Sequence, residues 1–209
     1  MTLESWFFLS QHLGEELCNA LPKRTKELLE AVPTDSTTMA ASMRQIIREN
    51  LKTLVHYLLP NGTTKNQETA THLVQSLSGL GTGTTPTGDD VLTGVLAMGF
   101  RLAQSKQLDE AAWQYFMTAV ANLPESGTTP TAHAMLQHAC EGRFIAPLCD
   151  VVSLLATDEP NHLVGAQHFV PLFDALSEIG SYSGTEMLAG AMALAGAAYR
   201  PKCPVLGGA

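Results

Sequence analysis

Apolar residues recur every three or four positions through most of this chain, and strict apolar–polar alternation is absent. That spacing places apolar side chains along one face of an α-helix, whereas a half-buried strand would need alternation. The pattern predicts an all-α protein, a single bundle-like domain of about ten helices. Their predicted ranges are 2–20, 23–31, 36–58, 66–78, 88–105, 108–122, 131–141, 147–156, 161–179 and 184–199.

Proline and glycine mark the ends of several predicted helices. Pro22 and Pro33 lie at the ends of the first two, and Leu59-Pro60-Asn61-Gly62 is a turn sequence. No linker divides the chain, so we predict one domain over residues 1–209. The subdivisions that we predict within it are a motif-bearing core over 79–199, a loose tail over 202–209, and residues 1–60 as a candidate separable helical layer.

The charge content excludes several classes of partner. Charged residues make up 15% of the chain, hydrophobic residues 45%, and the net charge is −8. Such an acidic chain is unsuited to nucleic acid or to an anionic membrane. The longest strongly apolar stretch, 187–199, is shorter than the roughly 20 residues of a membrane-spanning helix. The first residues lack the basic start of a secretory signal, and the four cysteines form no CxxC pair, so we expect a cytoplasmic protein with reduced thiols.

A helix-start motif recurs along the chain. Gly83-Thr84-Thr85-Pro86-Thr87 is repeated letter for letter at 127–131, and the segment 87–94 is similar to 183–190. The second pair shares the order hydroxyl, Gly, x, acid, x, Leu, x, Gly, whose first and fourth positions have the spacing of a capping box. The last glycines of this pair, Gly94 and Gly190, lie inside predicted helices, where glycine usually permits close helix–helix contact. We therefore predict that these two helices pack closely with their N-termini on one side.

The segment 79–88 has more glycine and threonine than a single cap requires. Free backbone N–H groups and hydroxyls at a helix N-terminus bind phosphate or carboxylate, so the segment predicts a small-anion site. It is not a Walker A motif, because the Gly-Lys-Ser/Thr element is missing. The residues that we predict to bind the anion are Gly81, Gly83, Thr84, Thr85, Thr87, Gly88, Thr128, Thr129, Thr131, Ser183 and Gly184.

Two adjacent acids, Asp89 and Asp90, begin the helix that follows this segment. Neighbouring residues on a helix cannot face the same way, so one is expected to cap and the other to point into the site. We predict that this pair is catalytic, with a carboxylate acting as general base or recruiting Mg²⁺, and Asp90 as the candidate metal ligand.

These residues resemble the signature of a protein family. The run from Gly79 to Gly94 is similar to G-L-G-P-G-L-T-P-S-G-D-D-x-L-x-G, the signature of an uncharacterised-domain family that includes AllH, a subunit of the bacterial oxamate carbamoyltransferase. Two further blocks, 128–148 and 179–190, resemble the family's middle and last blocks in the right order. The chain departs from the usual pattern at Thr82 and Thr84, and Ser181 stands where the family often has histidine.

The resemblance implies a subunit of a bacterial enzyme of allantoin breakdown. Carbamoyl transfer between oxamate and phosphate would then be its chemistry, and carbamoyl phosphate or oxamate its ligand. Where a catalytic histidine operates in relatives, Ser181 puts the same chemistry here in question.

Three hypotheses follow from the sequence. The first is an enzyme or enzyme subunit that binds a small anionic substrate at the helix entry. The second is a non-catalytic assembly subunit or binding module, whose weakly charged helices bury against other subunits or a second copy of the chain. The third is a purely structural helical domain, in which replacing Thr84 and Thr85 by alanine would change stability alone.

Overall fold

The computed structural model describes residues 21–29, 38–156 and 166–198. These residues form nine α-helices and one short 3₁₀ turn, and no strand occurs among them, so the predicted all-α fold is confirmed. The helices are α1 Lys23–Leu29, α2 Met39–Leu58, α3 Gln67–Gln75, α4 Thr87–Gln104, α5 Glu110–Ala121, α6 Pro130–Cys140, α7 Ala146–Leu155, α8 Ala166–Ser177 and α9 Ser183–Ala198. The predicted helix 2–20 and the tail 202–209 lie outside the described residues.

Helix boundaries follow the sequence prediction closely where both can be compared. The predicted helix 88–105 is observed one residue earlier at Thr87–Gln104, and 184–199 is observed as Ser183–Ala198. A larger difference concerns α3, which ends at Gln75 and not at 78. A turn follows it, and Gly79 adopts the left-handed conformation with a φ of 73°, which stops helical continuation.

Helices α4 and α9 form the centre of the molecule. Every residue of α4 from Thr87 to Gly99 is buried, and every residue of α9 from Gly184 to Ala195. A helix surrounded by protein is expected to be apolar or small-sided on all faces, and these two segments have that composition. The polar side chains buried at their first turns are therefore exceptions that require specific partners.

Glycine permits the close contact between α4 and α9. A Cβ atom added at Gly94 would lie 1.9 Å from the carbonyl oxygen of Met187, and one added at Gly190 would lie 2.1 Å from that of Val91. These two contacts are reciprocal, since Val91 and Met187 occupy equivalent positions in the two motif copies. The backbones of the two helices thus touch as the sequence predicted, and their N-termini lie on the same side.

Helices α1 and α2 pack against α9 and against each other. Leu28, Leu29 and Leu54 contribute buried side chains to the same core as α4 and α9. The buried hydroxyl of Thr25 donates to the carbonyl oxygen of Thr185 at 2.8 Å, which ties α1 to the first turn of α9. This contact places the beginning of α1 over the N-termini of the two central helices.

In the part of the chain that the structure describes, no helix combines the length and apolarity that crossing a membrane requires.

Candidate functional site

Two hydroxyl contacts join the starts of α4 and α9. The Thr85 and Ser183 hydroxyls lie 2.8 Å apart and hydrogen-bond to each other. The Thr87 hydroxyl donates to Oε1 of Glu186 at 3.0 Å. The first and last motif blocks, which are far apart in sequence, therefore meet at one site. We call the set Thr85, Thr87, Asp90, Ser183 and Glu186 the paired helix entry.

The predicted capping boxes are not formed, which corrects the local interpretation of both motif copies. Pro86 is the residue that precedes α4, without a side-chain cap, so Thr87 is already the first helical residue. Its hydroxyl consequently reaches across to Glu186 and does not accept from the α4 backbone. Ser183 likewise begins α9 and turns its hydroxyl toward Thr85. Both hydroxyls serve contacts between helices.

The glycines of the segment before α4 have structural reasons to be glycine. Gly81 has a φ of 126°, and a Cβ there would lie 2.6 Å from the backbone nitrogen of Thr87. Gly88 has no room for a side chain, because its Cβ would lie 1.8 Å from the carbonyl oxygen of Leu77. Gly83 also has a positive φ, 98°, but it lies in open space at the exposed tip of the segment. Backbone conformation and close packing therefore account for glycine at these positions, independently of any ligand.

Two of the backbone N–H groups expected to bind an anion have internal acceptors. The N–H of Gly88 donates to the carbonyl oxygen of Leu80 at 2.8 Å. The equivalent N–H of Gly184 donates to the carbonyl oxygen of Ile179 at 3.1 Å. These two N–H groups are therefore committed to the fold and are removed from the set of predicted anion-binding groups.

Asp89 is a fully buried acceptor that joins three segments. Its carboxylate accepts from the Ser78 hydroxyl at 3.1 Å, the Gly79 N–H at 3.0 Å and the Thr128 hydroxyl at 2.6 Å. Burial raises the pKa of Asp89, and the hydrogen bonds from Thr128, Gly79 and Ser78 counteract that rise. With its oxygens engaged, Asp89 holds the turn after α3 and the segment before α6 against α4.

The middle motif block reaches this region in part. Thr128 binds Asp89, and the Thr129 hydroxyl donates to the carbonyl oxygen of Thr84 while it also accepts from the N–H of Ala132, capping α6. Thr131, by contrast, is exposed on the first turn of α6 and makes neither kind of contact. The structure thus places Thr128 and Thr129 beside the segment that precedes α4.

Asp90 is fully buried, and neither of its carboxylate oxygens has a hydrogen-bond partner among the described residues. Burial raises its pKa from 3.8 to about 7. The nearby hydroxyls of Ser183 and Thr85 lower it in part, while the charges of Glu186 and Asp89 raise it further. Those two hydroxyls hydrogen-bond to each other, which commits one of their two protons and leaves the other available to Asp90, although neither Asp90 oxygen has a hydrogen-bond partner in this arrangement.

An ionised carboxylate held in this way is costly, because burial removes its hydration and the two nearby hydroxyls compensate only in part. Of the two adjacent acids, Asp90 is therefore the one whose carboxyl is available to carry a proton near neutral pH or to bind a cation.

Glu186 occupies the position in α9 that Asp90 occupies in α4, but its charge is compensated. Its Oε1 accepts from Nε and Nη2 of Arg24 at 3.0 and 2.8 Å, in addition to the Thr87 hydroxyl. The Arg24 guanidinium also lies 5.2 Å from the centre of the Tyr182 ring. The sequence prediction missed this pairing, since it assigned Glu186 to a capping box. No local signal links Arg24 to Glu186, which lies at the other end of the chain.

The described residues contain no group of three or more His, Cys, Asp or Glu side chains arranged to hold a metal ion. Mg²⁺ is commonly held by one or two carboxylates together with water and substrate phosphate. The assignment of Asp90 as a Mg²⁺ ligand therefore stays a prediction.

The fold and the site together define an all-helical protein whose two central helices begin with related glycine- and hydroxyl-rich motifs. The family model described as oxamate carbamoyltransferase subunit AllH matches residues 77–195, more than half of the chain. The chain belongs to the AllH family. The matched region contains α4, α6 and α9 as far as residue 195, and it leaves out α1, which carries Arg24. No curated protein and no solved structure matches the chain.

Proposed function

We propose that this chain binds a small phosphorylated or carboxylated substrate at the paired helix entry and acts as a subunit in carbamoyl or phosphoryl group transfer. Oxamate and carbamoyl phosphate are the candidate ligands, because they fit the family's description. The single observation that carries the proposal is Asp90, a fully buried carboxyl without a hydrogen-bond partner, placed beside two hydroxyls at the starts of two helices.

Charge balance decides how an anion would enter this site. Asp89, Asp90 and Glu186 are three buried carboxyls, and Arg24 supplies a positive charge in contact with one of them. An anionic substrate is repelled unless Asp90 carries a proton or binds a cation such as Mg²⁺. Asp90 would move a proton in the first case, and in the second it would share Mg²⁺ with the substrate.

Thermal unfolding with added ligands tests the proposal. Wild-type protein is measured with phosphate, carbamoyl phosphate, oxamate and ADP, each with and without Mg²⁺. A ligand at 100 times its dissociation constant adds about 2.7 kcal/mol of stability, which is readily detected. We expect Asp90→Asn to abolish a shift that depends on Mg²⁺, because the amide is a poor ligand for the cation. A shift seen without Mg²⁺ is expected to persist or grow in Asp90→Asn, because the charge that repels the anion is removed. Asp150→Asn, a matched change at an exposed residue, leaves both shifts unaltered.

The alternative is a non-catalytic assembly subunit. The family's description as a subunit favours protein partners, and α2 exposes Met39 and Ile46, 87% and 49% accessible, on its surface. Absence of any ligand-induced shift would favour this alternative. Light scattering during size-exclusion chromatography then measures whether the chain associates with itself, and a monomer that binds substrate tightly would count against it.

A further inference from the structure

The strongest unexplained feature of the site is the position of Arg24. This residue lies in α1, outside the region that the family model matches, yet it contacts the first turns of both central helices through Glu186 and its partner Thr87. Its side chain is 24% exposed, while Asp90 is fully buried. Arg24 therefore offers a positive charge beside the paired helix entry, within reach of a dissolved ligand.

Arg24 has more N–H donors than its hydrogen bonds to Glu186 use. A guanidinium has five N–H groups in a planar fork. Glu186 uses one at Nε and one at Nη2, both directed to the same carboxylate oxygen. The contact between Nη1 and Glu27 is 3.7 Å long, beyond hydrogen-bonding distance. Among the described residues no hydrogen bond engages the remaining donors, which can bind an oxyanion without loss of the pair with Glu186.

Neighbouring groups hold the guanidinium in this position. The ring of Tyr182 lies against it, and the hydroxyl of Thr25, the next residue in α1, is hydrogen-bonded to α9. A preorganised arginine loses less side-chain entropy when it binds an anion than a freely moving one does. Asp90 lies at the same helix starts as a buried carboxyl without a hydrogen-bond partner among the described residues, and a proton or a cation there removes the negative charge that would repel an anion bound by Arg24.

We infer that Arg24 binds the anionic group of the substrate at the paired helix entry. This inference rests on the proposed function, since it adds a binding residue to the same site. In this assignment Tyr182 and the Thr25 contact keep the guanidinium in position, and the negative charge of Glu186 lowers its affinity for an anion by partial neutralisation. Arg24 and Glu186 therefore have opposite effects on binding, although they belong to one ion pair.

The opposite effects provide the test. If the pair is only structural, Arg24→Gln and Glu186→Gln both break it and weaken ligand binding to the same extent. If Arg24 binds the anion, Arg24→Gln weakens binding at least about tenfold, the loss of one charge-assisted contact. Glu186→Gln then tightens binding, because a negative charge beside the ligand is removed.

The measurement is the dissociation constant of inorganic phosphate and of oxamate by titration calorimetry, with and without Mg²⁺. Lys23→Gln is the control, since it removes the same charge from the same helix at a side chain that is 91% exposed. We expect it to change the dissociation constant less than about twofold at physiological salt. Arg24→Lys keeps the charge but loses the planar fork, and we expect intermediate weakening.

Three results would overturn the inference. Equal weakening by Arg24→Gln and Glu186→Gln assigns the pair a structural role, and wild-type affinity in Arg24→Gln shows that the guanidinium does not bind the ligand. Neither result touches the proposed function, because the wild-type protein still binds. Absence of binding by wild-type protein refutes the proposed function and this inference together. Circular dichroism identifies a misfolded Arg24→Gln variant. In that case the dissociation constant of Arg24→Lys tests the inference, and wild-type affinity in Arg24→Lys would overturn it.

Discussion

The two helix starts at the centre of the molecule carry the same motif but treat their acids differently. In α9, Glu186 accepts two donors from Arg24 and one from Thr87. In α4, Asp90 is buried to the same degree and has no hydrogen-bond partner among the described residues. The backbone approach at Gly94 and Gly190 is reciprocal, so the two acids differ chiefly in charge compensation. In the α9 copy Arg24 compensates the charge of the acid. In the α4 copy no described residue does so for Asp90, whose charge a proton or a cation would have to compensate.

The residues next to Asp90 and Glu186 differ as well. Asp89 joins the turn after α3 and the segment before α6 through three hydrogen bonds. Its counterpart, Thr185, donates to the carbonyl oxygen of Tyr182 and accepts Thr25 at its own carbonyl. In the α4 copy, Asp89 therefore has a structural role, whereas the neighbouring Asp90 lacks hydrogen-bond partners among the described residues. The sequence alone did not distinguish the two acids. Three substitutions, taken from the largest expected effect to the smallest, test this comparison.

The first substitution tests the backbone contact that both copies share. Gly94→Ala places a methyl group 1.9 Å from the carbonyl oxygen of Met187, so α4 and α9 must separate. We expect a loss of more than about 4 kcal/mol in the free energy of unfolding, measured by urea denaturation. Gly127→Ala is the control, because its Cβ would make an ordinary 3.5 Å contact with Leu123. A stable Gly94→Ala protein would contradict the described approach of the helices.

The second substitution removes the unsatisfied acid. Because the pKa of Asp90 rises from 3.8 to about 7 on folding, the folded state binds the proton more tightly than the unfolded state. Stability attributable to this group is complete below about pH 4 and is lost as the pH rises through 7. Asp90→Asn removes the buried charge, so we expect it to stabilise the free protein by about 3 kcal/mol at pH 8.

The measurement for Asp90→Asn is the difference in melting temperature from wild type across this pH range. The difference is expected to shrink toward zero near pH 4, where wild-type Asp90 is protonated. Asp150→Asn, at an exposed residue, should show no such pH dependence. A destabilised Asp90→Asn protein at pH 8 would mean that the carboxylate has a partner that compensates its charge.

The third substitution makes the same chemical change at the neighbouring position. In Asp89→Asn the new amide NH₂ must face either the Ser78 hydroxyl or the donors of Gly79 and Thr128. We expect a loss of about 1–2 kcal/mol at pH 7, measured by urea denaturation. Opposite signs for Asp89→Asn and Asp90→Asn would establish that adjacent acids have separate roles, and equal signs would remove the distinction.

Much of the fold could be predicted from the sequence because its signals are local. Helical periodicity and the prolines and glycines between helices located α4 and α9 to within one residue. Gly94 and Gly190 also indicated the close helix pair correctly, since glycine weakens a helix on its own and is useful inside an apolar helix mainly where two backbones touch. The capping boxes were wrong because the motif spacing is the same whether the first hydroxyl precedes the helix or begins it, and Pro86 takes the preceding position.

The candidate site was predictable only in its outline. The repeat located Thr87, Ser183 and the acids, but not the direction in which each side chain points. Whether Asp89 or Asp90 has partners depends on Ser78, Gly79 and Thr128, which the folded chain brings to one of them. The pairing of Arg24 with Glu186 joins the two ends of the described chain, and no periodicity or spacing contains that information.

The sequence by itself determined the helical class, the positions of the two central helices, the glycines that let them touch and the family to which the chain belongs. These properties depend on steric and periodic features of a few neighbouring residues. Only the tertiary structure decided that Asp89 is satisfied, that Asp90 is not, and that Arg24 compensates Glu186. Burial and charge compensation depend on which distant residues surround a side chain, so they exist only once the helices have packed.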